Sequence, residues 1–425
     1  MKNRSALTLI FTAVFIDLLG FGILIPILPT FATKELHVDE TAIGIAIAVY
    51  SFVQFFFNSF LGELSDKHGR KPIIVICLFL NAVGYIIFAF TNTYFVLIVS
   101  RIVGGIGGSS IGVAQAYISD ITTKEDRSKG MGMIGAAFGL GFVFGPLIGG
   151  LLSKFGYEVT GFASAGFSFL AFIVTIFLLP ESNIHREEAQ KRKRKLFDIS
   201  AVKNIFKKKD LGLLVILFFI LTFSVANIYG TFALLGYEVY HFTDLQNGYM
   251  LGIVGIASAI VQGGLIRVVA KYVKETRLVA AGSFLMMIGL GLLPFGGNFA
   301  GLALIVIVMA LGMGFLQPTL LSLISEIISD KEQGAILGIN QSFSAFARVL
   351  GPLWGGFAFE YFGYPFPFLT GAFFTLIIVL LAVFYLPKAI KRILGKNFKP
   401  ISFNNYFLHH YSYLYINKFR KVCLQ

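Results

Sequence analysis

The chain has 425 residues, 56% of them hydrophobic and only 13% charged, about half the charged share of a soluble protein. That balance excludes an ordinary water-soluble domain and predicts an all-α membrane protein, because a helix satisfies its own backbone in lipid. The net charge of +13 is not a nucleic-acid footprint, since the basic residues gather in alternate loops and so report topology.

A helix needs about 20 apolar residues to cross the hydrocarbon core. On that measure twelve spans follow in chain order, the first six at 6–31, 42–62, 72–91, 95–121, 131–153 and 160–179. The second six lie at 211–236, 247–270, 277–296, 300–328, 334–360 and 365–387. The first run is too long for the core of a signal peptide, and no small-residue cleavage site follows it. The two sets define an N-terminal bundle over 1–179 and a C-terminal bundle over 211–392, joined by a basic linker over 180–210 that carries Arg186 and Lys191 to Lys195. Residues 393–425 are aromatic and basic without a clear period. They read as a cytoplasmic tail that coats the membrane interface, or as a dispensable, non-native or disordered extension. Lys2, Arg4, Lys67, Arg70, Lys71, Lys124, Arg127, Lys271, Lys274 and Lys388 share one face with the linker, and the opposite face has only Lys34 and Lys154. This bias predicts a bacterial plasma-membrane protein with both termini in the cytoplasm.

Span 1 carries Asp17, near mid-membrane and the sole acid at that depth in the first half. Lipid burial disfavours a charged carboxylate. Asp17 therefore suits a site that loads and releases a proton or attracts a cationic substrate; a structural acid capping a broken helix is the other reading. After span 2 the chain reads Gly62-Glu63-Leu64-Ser65-Asp66-Lys67-His68-Gly69-Arg70-Lys71-Pro72. Gly62 permits close helix approach, Gly69 a turn with positive φ, and Pro72 suits the first turn of span 3. Asp120, at the end of span 4, is the chemical partner for Arg70. A turn whose charges only fix topology is the alternative. Span 4 contains Arg101-Ile102-Val103-Gly104-Gly105-Ile106-Gly107-Gly108. A cation at membrane depth needs a partner or a wet cavity, so an interior role and snorkelling to the nearby face are both open.

In span 5, Gly141, Gly145 and Gly149 form one flat stripe, and Pro146 permits a bend. The run Gly145-Pro146-Leu147-Ile148-Gly149-Gly150 returns about 206 residues later as Gly351-Pro352-Leu353-Trp354-Gly355-Gly356. Ile118-Ser119-Asp120 likewise returns as Ile324-Ser325-Glu326. A repeat of that length in so apolar a chain implies two homologous membrane halves. Halves that rock against each other are the machinery of alternating access, which points to a transporter. Arg348 has no counterpart in the first copy, where Phe142 stands.

On these motifs the chain resembles the major facilitator superfamily, in particular the twelve-span drug:proton antiporters that include bacterial tetracycline and multidrug exporters. The resemblance covers residues 1 to about 392. It implies two pseudo-symmetric six-helix bundles around a central cavity lined by spans 1, 4, 7 and 10. It further implies that Gly62, Asp66, Gly69, Arg70 and Lys71, with Asp120, form a latch on the outward-open state. In the resembling family, Gly141, Gly145, Pro146, Gly149 and Gly150 match the exporter-type antiporter motif, and Arg101 is tied to proton coupling with Asp17. The chain also departs from the pattern. Where many tetracycline exporters carry an acid in span 3, Gly84 precedes Tyr85, and spans 7 and 10 have no interior acid. Proton coupling therefore rests on Asp17, with Glu238 and Glu326 nearer the span ends. The second-half copy of the loop has decayed, and Arg267 stands about where Asp66 would.

Asp17, Phe21, Gln54, Asn227, Gln317 and Asn340 are candidate substrate contacts. Phe52, Phe56, Phe218, Phe223, Tyr229 and Phe232 are candidate wall residues, because an apolar pocket with a few polar anchors suits amphiphiles. The expected activity is export of a lipophilic drug in exchange for protons, by a monomer in the lipid bilayer, with no cofactor, metal or nucleic acid. A proton-coupled carrier of a sugar or small peptide is the alternative. The sequence speaks against a membrane enzyme, because the six His residues stand in loops or tail and Cys77 and Cys423 make no cluster with them. No Gly-rich loop with Lys-Ser or Lys-Thr supports ATP-driven pumping.

Overall fold

The computed structural model describes residues 2–123, 127–182, 203, 205–328 and 333–389. The Lys191–Lys195 cluster and the 393–425 tail lie outside the described residues. Every regular element among the described residues is helical. The N-terminal half contains α1 (Ser5–Lys34), α2 (Glu40–His68), α3 (Arg70–Ala89), α4 (Tyr94–Ile121), α5 (Gly130–Phe155) and α6 (Tyr157–Leu178). The second half contains α7 (Lys209–Val239), α8 (Asp244–Val269), α9 (Glu275–Phe295), α10 (Phe299–Ile327), α11 (Gln333–Phe362) and α12 (Phe366–Phe384). Eleven of these are long and apolar enough to cross a membrane. The twelfth, α11, has 30 residues, about 45 Å of helix at 1.5 Å per residue; Asn340, Gln341, Ser342, Ser344 and Arg348 dilute its apolar character.

The halves repeat in detail. In the first, α1 packs on α5 and α6, and α3 on α4 and α6; in the second, α7 packs on α11 and α12, and α9 on α10 and α12. Side-chain caps begin α2 and α4 at Asp39 and Thr93, and begin α8 and α10 at Thr243 and Asn298. Each cap oxygen accepts from an otherwise unpaired first-turn amide, and all four stand on the face opposite the basic loops. The turns match as well. His37 and His241 take φ of +50° and +53°, while Gly156 and Gly363 take +118° and +96°.

Two helix pairs carry most of the contact between the bundles, α2 with α11 and α5 with α8, and α1 also meets α7 and α8. Each pair crosses by the same device. The carbonyl of Pro146 on α5 lies against Gly248 on α8, where an added Cβ would stand 2.5 Å from that oxygen. The carbonyl of Pro352 on α11 lies against Gly44 on α2 in the same way. Only glycine permits such an approach, and it brings Cα–H groups onto carbonyl oxygen.

Polar contacts close the bundles at this end. Lys34 Nζ is 3.7 Å from Asp244 and 4.5 Å from the Tyr237 ring centroid. Tyr157 Oη donates to Asp244 at 3.0 Å, and the Thr41 amide donates to Glu360 at 3.1 Å. Towards the basic face the same four helices separate. Gly62 on α2, Gly135 and Gly139 on α5, Gly263 and Gly264 on α8 and Gly338 on α11 have no atom within 4 Å of an added Cβ. The cleft between the bundles is therefore closed opposite the basic loops and open beside them.

This geometry predicts that Gly248→Val forces the α5–α8 crossing apart and destabilises the closed face by ~1–3 kcal/mol, the usual cost of overpacking. Spin-label distances across that face should lengthen while folding is retained. An unchanged distance distribution would show that the crossing does not hold the face shut.

Candidate functional site

The floor of the cleft is aromatic. Phe21 on α1 lies 5.4 Å from the Tyr50 ring on α2 and 6.2 Å from the Phe142 ring on α5. Phe142 stacks on Tyr229 of α7 at 6.0 Å, so the cluster bridges both bundles. Phe142 stands one turn before Pro146, which places the cluster just below the closed crossings. Arg348 stands one turn before Pro352 and acts electrostatically on Tyr229 and Tyr50.

Asp17 lies one turn from Phe21 on the same side of α1. It is 5% exposed and accepts hydrogen bonds from Ser168 Oγ of α6 at 2.6 Å and from Asn81 Nδ2 of α3 at 2.9 and 3.1 Å. The carboxylate thus pins three helices of the N-terminal bundle. Asn81 reaches it because Gly107 on α4 lies directly against Asn81, leaving no room for a Cβ.

Arg101 does not meet Asp17: among the described residues no ion pair joins them. Its side chain is 4% exposed, so it turns into the bundle and does not snorkel. The guanidinium carbon sits 5.5 Å from the Phe88 ring centroid, and Nε donates to Ser100 Oγ at 3.2 Å. Tyr50 and Tyr85 are its electrostatic neighbours. The glycines of α4 make this possible: Gly104 packs on Tyr50 while admitting Gly84 of α3, and Gly105 receives the Tyr50 backbone. They also interrupt the helix, which turns at Gly108–Ser109 and restarts at Ser110.

Two of the other polar candidates, Gln54 and Asn227, tie helices of their own bundles together. Gln54 Nε2 donates to the Gly108 carbonyl at 2.8 Å, tying α2 to the break in α4. Asn227, expected at the substrate site, is 1% exposed and donates to the Pro367 carbonyl of α12 at 2.5 Å. Asn340 is 1% exposed within the C-terminal bundle. Gln317 is exposed on α10. Of the candidate wall aromatics, Tyr229 joins the cluster, Phe218 and Phe232 are buried in the bundle core, and Phe52 and Phe56 pack edge to face at an exposed surface. Residue type alone could not have found Tyr50, Asn81 and Ser168. Each acts through the helix face it occupies, and span assignment does not fix that face.

The loop between α2 and α3 forms a compact charge network. Arg70 pairs with Asp66 at 2.6 Å and with Asp120 at 2.9 Å, and donates to Ser65 Oγ at 2.7 Å. The amides of Arg70 and Lys71 donate to Glu181, at 2.8 and 3.2 Å. Gly69 makes the turn at φ +108°, a conformation that favours glycine. Lys71 supplies only its backbone to this network. The stripe on α5 faces α1: Gly141 meets Leu18, Gly145 meets Gly22 and Gly149 meets the Ile23 carbonyl. Gly150, beside Pro146, turns the other way and meets Asp244 and Leu245. Among the described residues no group of three His, Cys, Asp or Glu side chains is placed to hold a metal ion.

The model of the Major Facilitator Superfamily matches residues 10–349 and again 295–401. Multidrug resistance protein 1 of Bacillus subtilis (strain 168) is 32% identical over 375 residues, which are 87% of this chain and 94% of that protein. The class C tetracycline resistance protein of Escherichia coli is 30% identical over 356 residues, 83% of this chain and 89% of that protein. Among solved structures, the human organic anion transporter MFSD10 (TETRAN) aligns with a TM-score of 0.67 at 23% identity, covering 90% of this chain and 100% of that one. The nucleoside transporter NupG aligns with a TM-score of 0.70 at 16% identity, covering 89% and 98%. At those identities the two structures speak for the fold. Paired six-helix bundles, glycine crossings and a family match over most of the length agree: this chain belongs to the Major Facilitator Superfamily.

Proposed function

We propose that the chain is a secondary active exporter that expels lipophilic drugs in exchange for protons by alternating access. The observation that carries the reading is a buried carboxylate, Asp17, one turn from an aromatic floor in a cleft open at one end. The multidrug and tetracycline resistance proteins to which the chain is similar support the drug class. The basic loops belong in the cytoplasm by the positive-inside rule. In this reading both termini are cytoplasmic, the protein works as a monomer in the plasma membrane, and the described conformation faces inward. Drug enters from the cytoplasm or inner leaflet and stacks on Phe21, Phe142 and Tyr229.

Proton binding acts on helix packing. As a carboxylate, Asp17 accepts from Ser168 and from Asn81. Once protonated, one of its oxygens becomes a donor. The Asn81 amide oxygen is buried and has no hydrogen bond among the described residues. A rotated amide can receive the new donor, so protonation exchanges one arrangement of α1, α3 and α6 for another. Because Gly22 and Gly145 are in direct contact, a shift of α1 is felt by α5, and through Pro146 by α8.

Two outcomes test this. Asp17→Asn in proteoliposomes should abolish drug-driven proton movement while leaving drug binding measurable. Export driven by a pH gradient at the native rate in that variant would move the proton site elsewhere, with Glu238 or Glu326 next to be tested. Asp66→Asn should slow transport roughly tenfold, a change of ~1.4 kcal/mol, with normal amounts of protein in the membrane. Native transport rates would reduce the α2–α3 network to a topology signal.

A further inference from the structure

Arg348 breaks the symmetry of the site. The repeat sets it opposite Phe142, each one turn before its proline. Phe142 extends the aromatic cluster by stacking on Tyr229, and Arg348 lies close enough to Tyr229 and Tyr50 to interact with both electrostatically. Its helix face is fixed by the next turns of α11, where Gly351 meets Ala226 of α7 and Pro352 meets Gly44 of α2. The side chain therefore projects between α2 and α7, at the floor of the cleft.

Among the described residues Arg348 has no ion pair and no hydrogen bond. The carboxylate nearest in depth, Asp17, is held by Ser168 and Asn81 inside the N-terminal bundle. Arg101 is a second interior cation, itself without a carboxylate. Two guanidiniums and one carboxylate thus stand within electrostatic reach of Tyr50. A guanidinium at membrane depth is costly, about 3 kcal/mol on the more lenient scale, unless an anion or water meets it. A planar fork also matches an oxyanion in a way a lysine does not.

We propose that Arg348 determines specificity by binding the carboxylate of an aromatic acid, whose ring stacks on Phe21, Phe142 and Tyr229. The proposal rests on the export reading for the direction of transport, but not for binding. The proton site and the acid site use different atoms on different helices. Exchange of one proton inward for one organic anion outward would move two charges in the direction favoured by an inside-negative potential. Each charge is worth ~2.3 kcal/mol per 100 mV.

The test uses the full chain in nanodiscs of phosphatidylcholine. The probes are 1-pyrenecarboxylate and its methyl ester, which share a ring and differ in charge, with binding read by pyrene fluorescence. The wild type should bind the acid about ten- to a hundredfold more tightly than the ester, the worth of a charge-assisted hydrogen bond. Arg348→Gln should remove that preference and leave ester binding unchanged, which also reports intact folding. Should Arg348→Gln bind neither probe, Arg348→Lys decides: a retained but weaker preference supports the proposal, and a full preference overturns it. Equal affinity of the wild type for acid and ester overturns it, as does a preference that survives Arg348→Gln. If added phosphatidylglycerol displaces the acid but not the ester, the oxyanion is a lipid headgroup and the substrate assignment fails. If the preference holds but proteoliposomes show no proton-driven movement of either probe, the export reading fails and the binding assignment stands.

Discussion

The architecture turns on two places where a proline-bearing helix lays a carbonyl oxygen on a glycine of the opposite bundle. Pro146 meets Gly248, and Pro352 meets Gly44. Nothing larger than a hydrogen on either glycine fits. Each Cα–H···O contact contributes only about 0.5–1 kcal/mol, and the polar contacts around Asp244 are partly solvated. The closed face is thus held by many small terms in close register and not by one strong bond. That suits the proposed cycle, in which the same face opens each time: the two conformations need to lie within a few kcal/mol of each other for both to be populated.

The same crossings decide what α5 can transmit. One side of α5 carries Gly141, Gly145 and Gly149 against α1, and the other carries Pro146 and Gly150 against the first turns of α8. With glycine on both sides, α5 has little side-chain padding to absorb displacement. A rigid-body movement of α8 reaches α1 within a few ångströms of backbone. Asp17 and Phe21 sit on that helix. In the proposed cycle proton and drug thus bear on one rigid element from two sides, the proton from the α3 and α6 side and the drug from the cleft. Contiguity of this kind is a route for coupling, and measured coupling energies remain its test.

Much of this was legible in the sequence. The duplicated Gly-Pro run and the spacing of apolar stretches gave the two bundles, since bilayer thickness sets span length. The choice of Asp120 for Arg70 followed from charge and membrane depth alone. Helix rotation was not legible. Asn227 and Asn340 have the residue type of pocket anchors; both are buried, and Asn227 donates to Pro367 within its own bundle. Whether Arg101 reaches Asp17 was likewise not legible: Arg101 goes to Phe88, and Asp17 accepts from Asn81 and Ser168, two neutral residues with no distinguishing pattern. The α4 glycines read as a smooth face, which they are. That four glycines in eight residues would also interrupt the helix is a matter of backbone entropy, and the apolar flanks concealed it.

The duplication extends to packing but stops at chemistry. Position by position, about 205 residues apart, Leu221 stands where Asp17 is, Met286 where Asn81 is and Val306 where Arg101 is, all three buried. The glycine contacts persist: Gly312 meets Met286 as Gly107 meets Asn81, and Gly289 packs on Met309 as Gly84 packs on Gly104. A scaffold of crossing glycines can therefore be filled either with a hydrogen-bonded carboxylate or with hydrocarbon. The N-terminal bundle holds the polar version and the C-terminal bundle the apolar one. In exchange, the C-terminal bundle carries the guanidinium of Arg348 where its partner has the Phe142 ring. The C-terminal bundle has no carboxylate at the place where its partner holds Asp17. In the proposed cycle titration therefore belongs to the N-terminal half and a fixed charge to the other, with the aromatic floor between them.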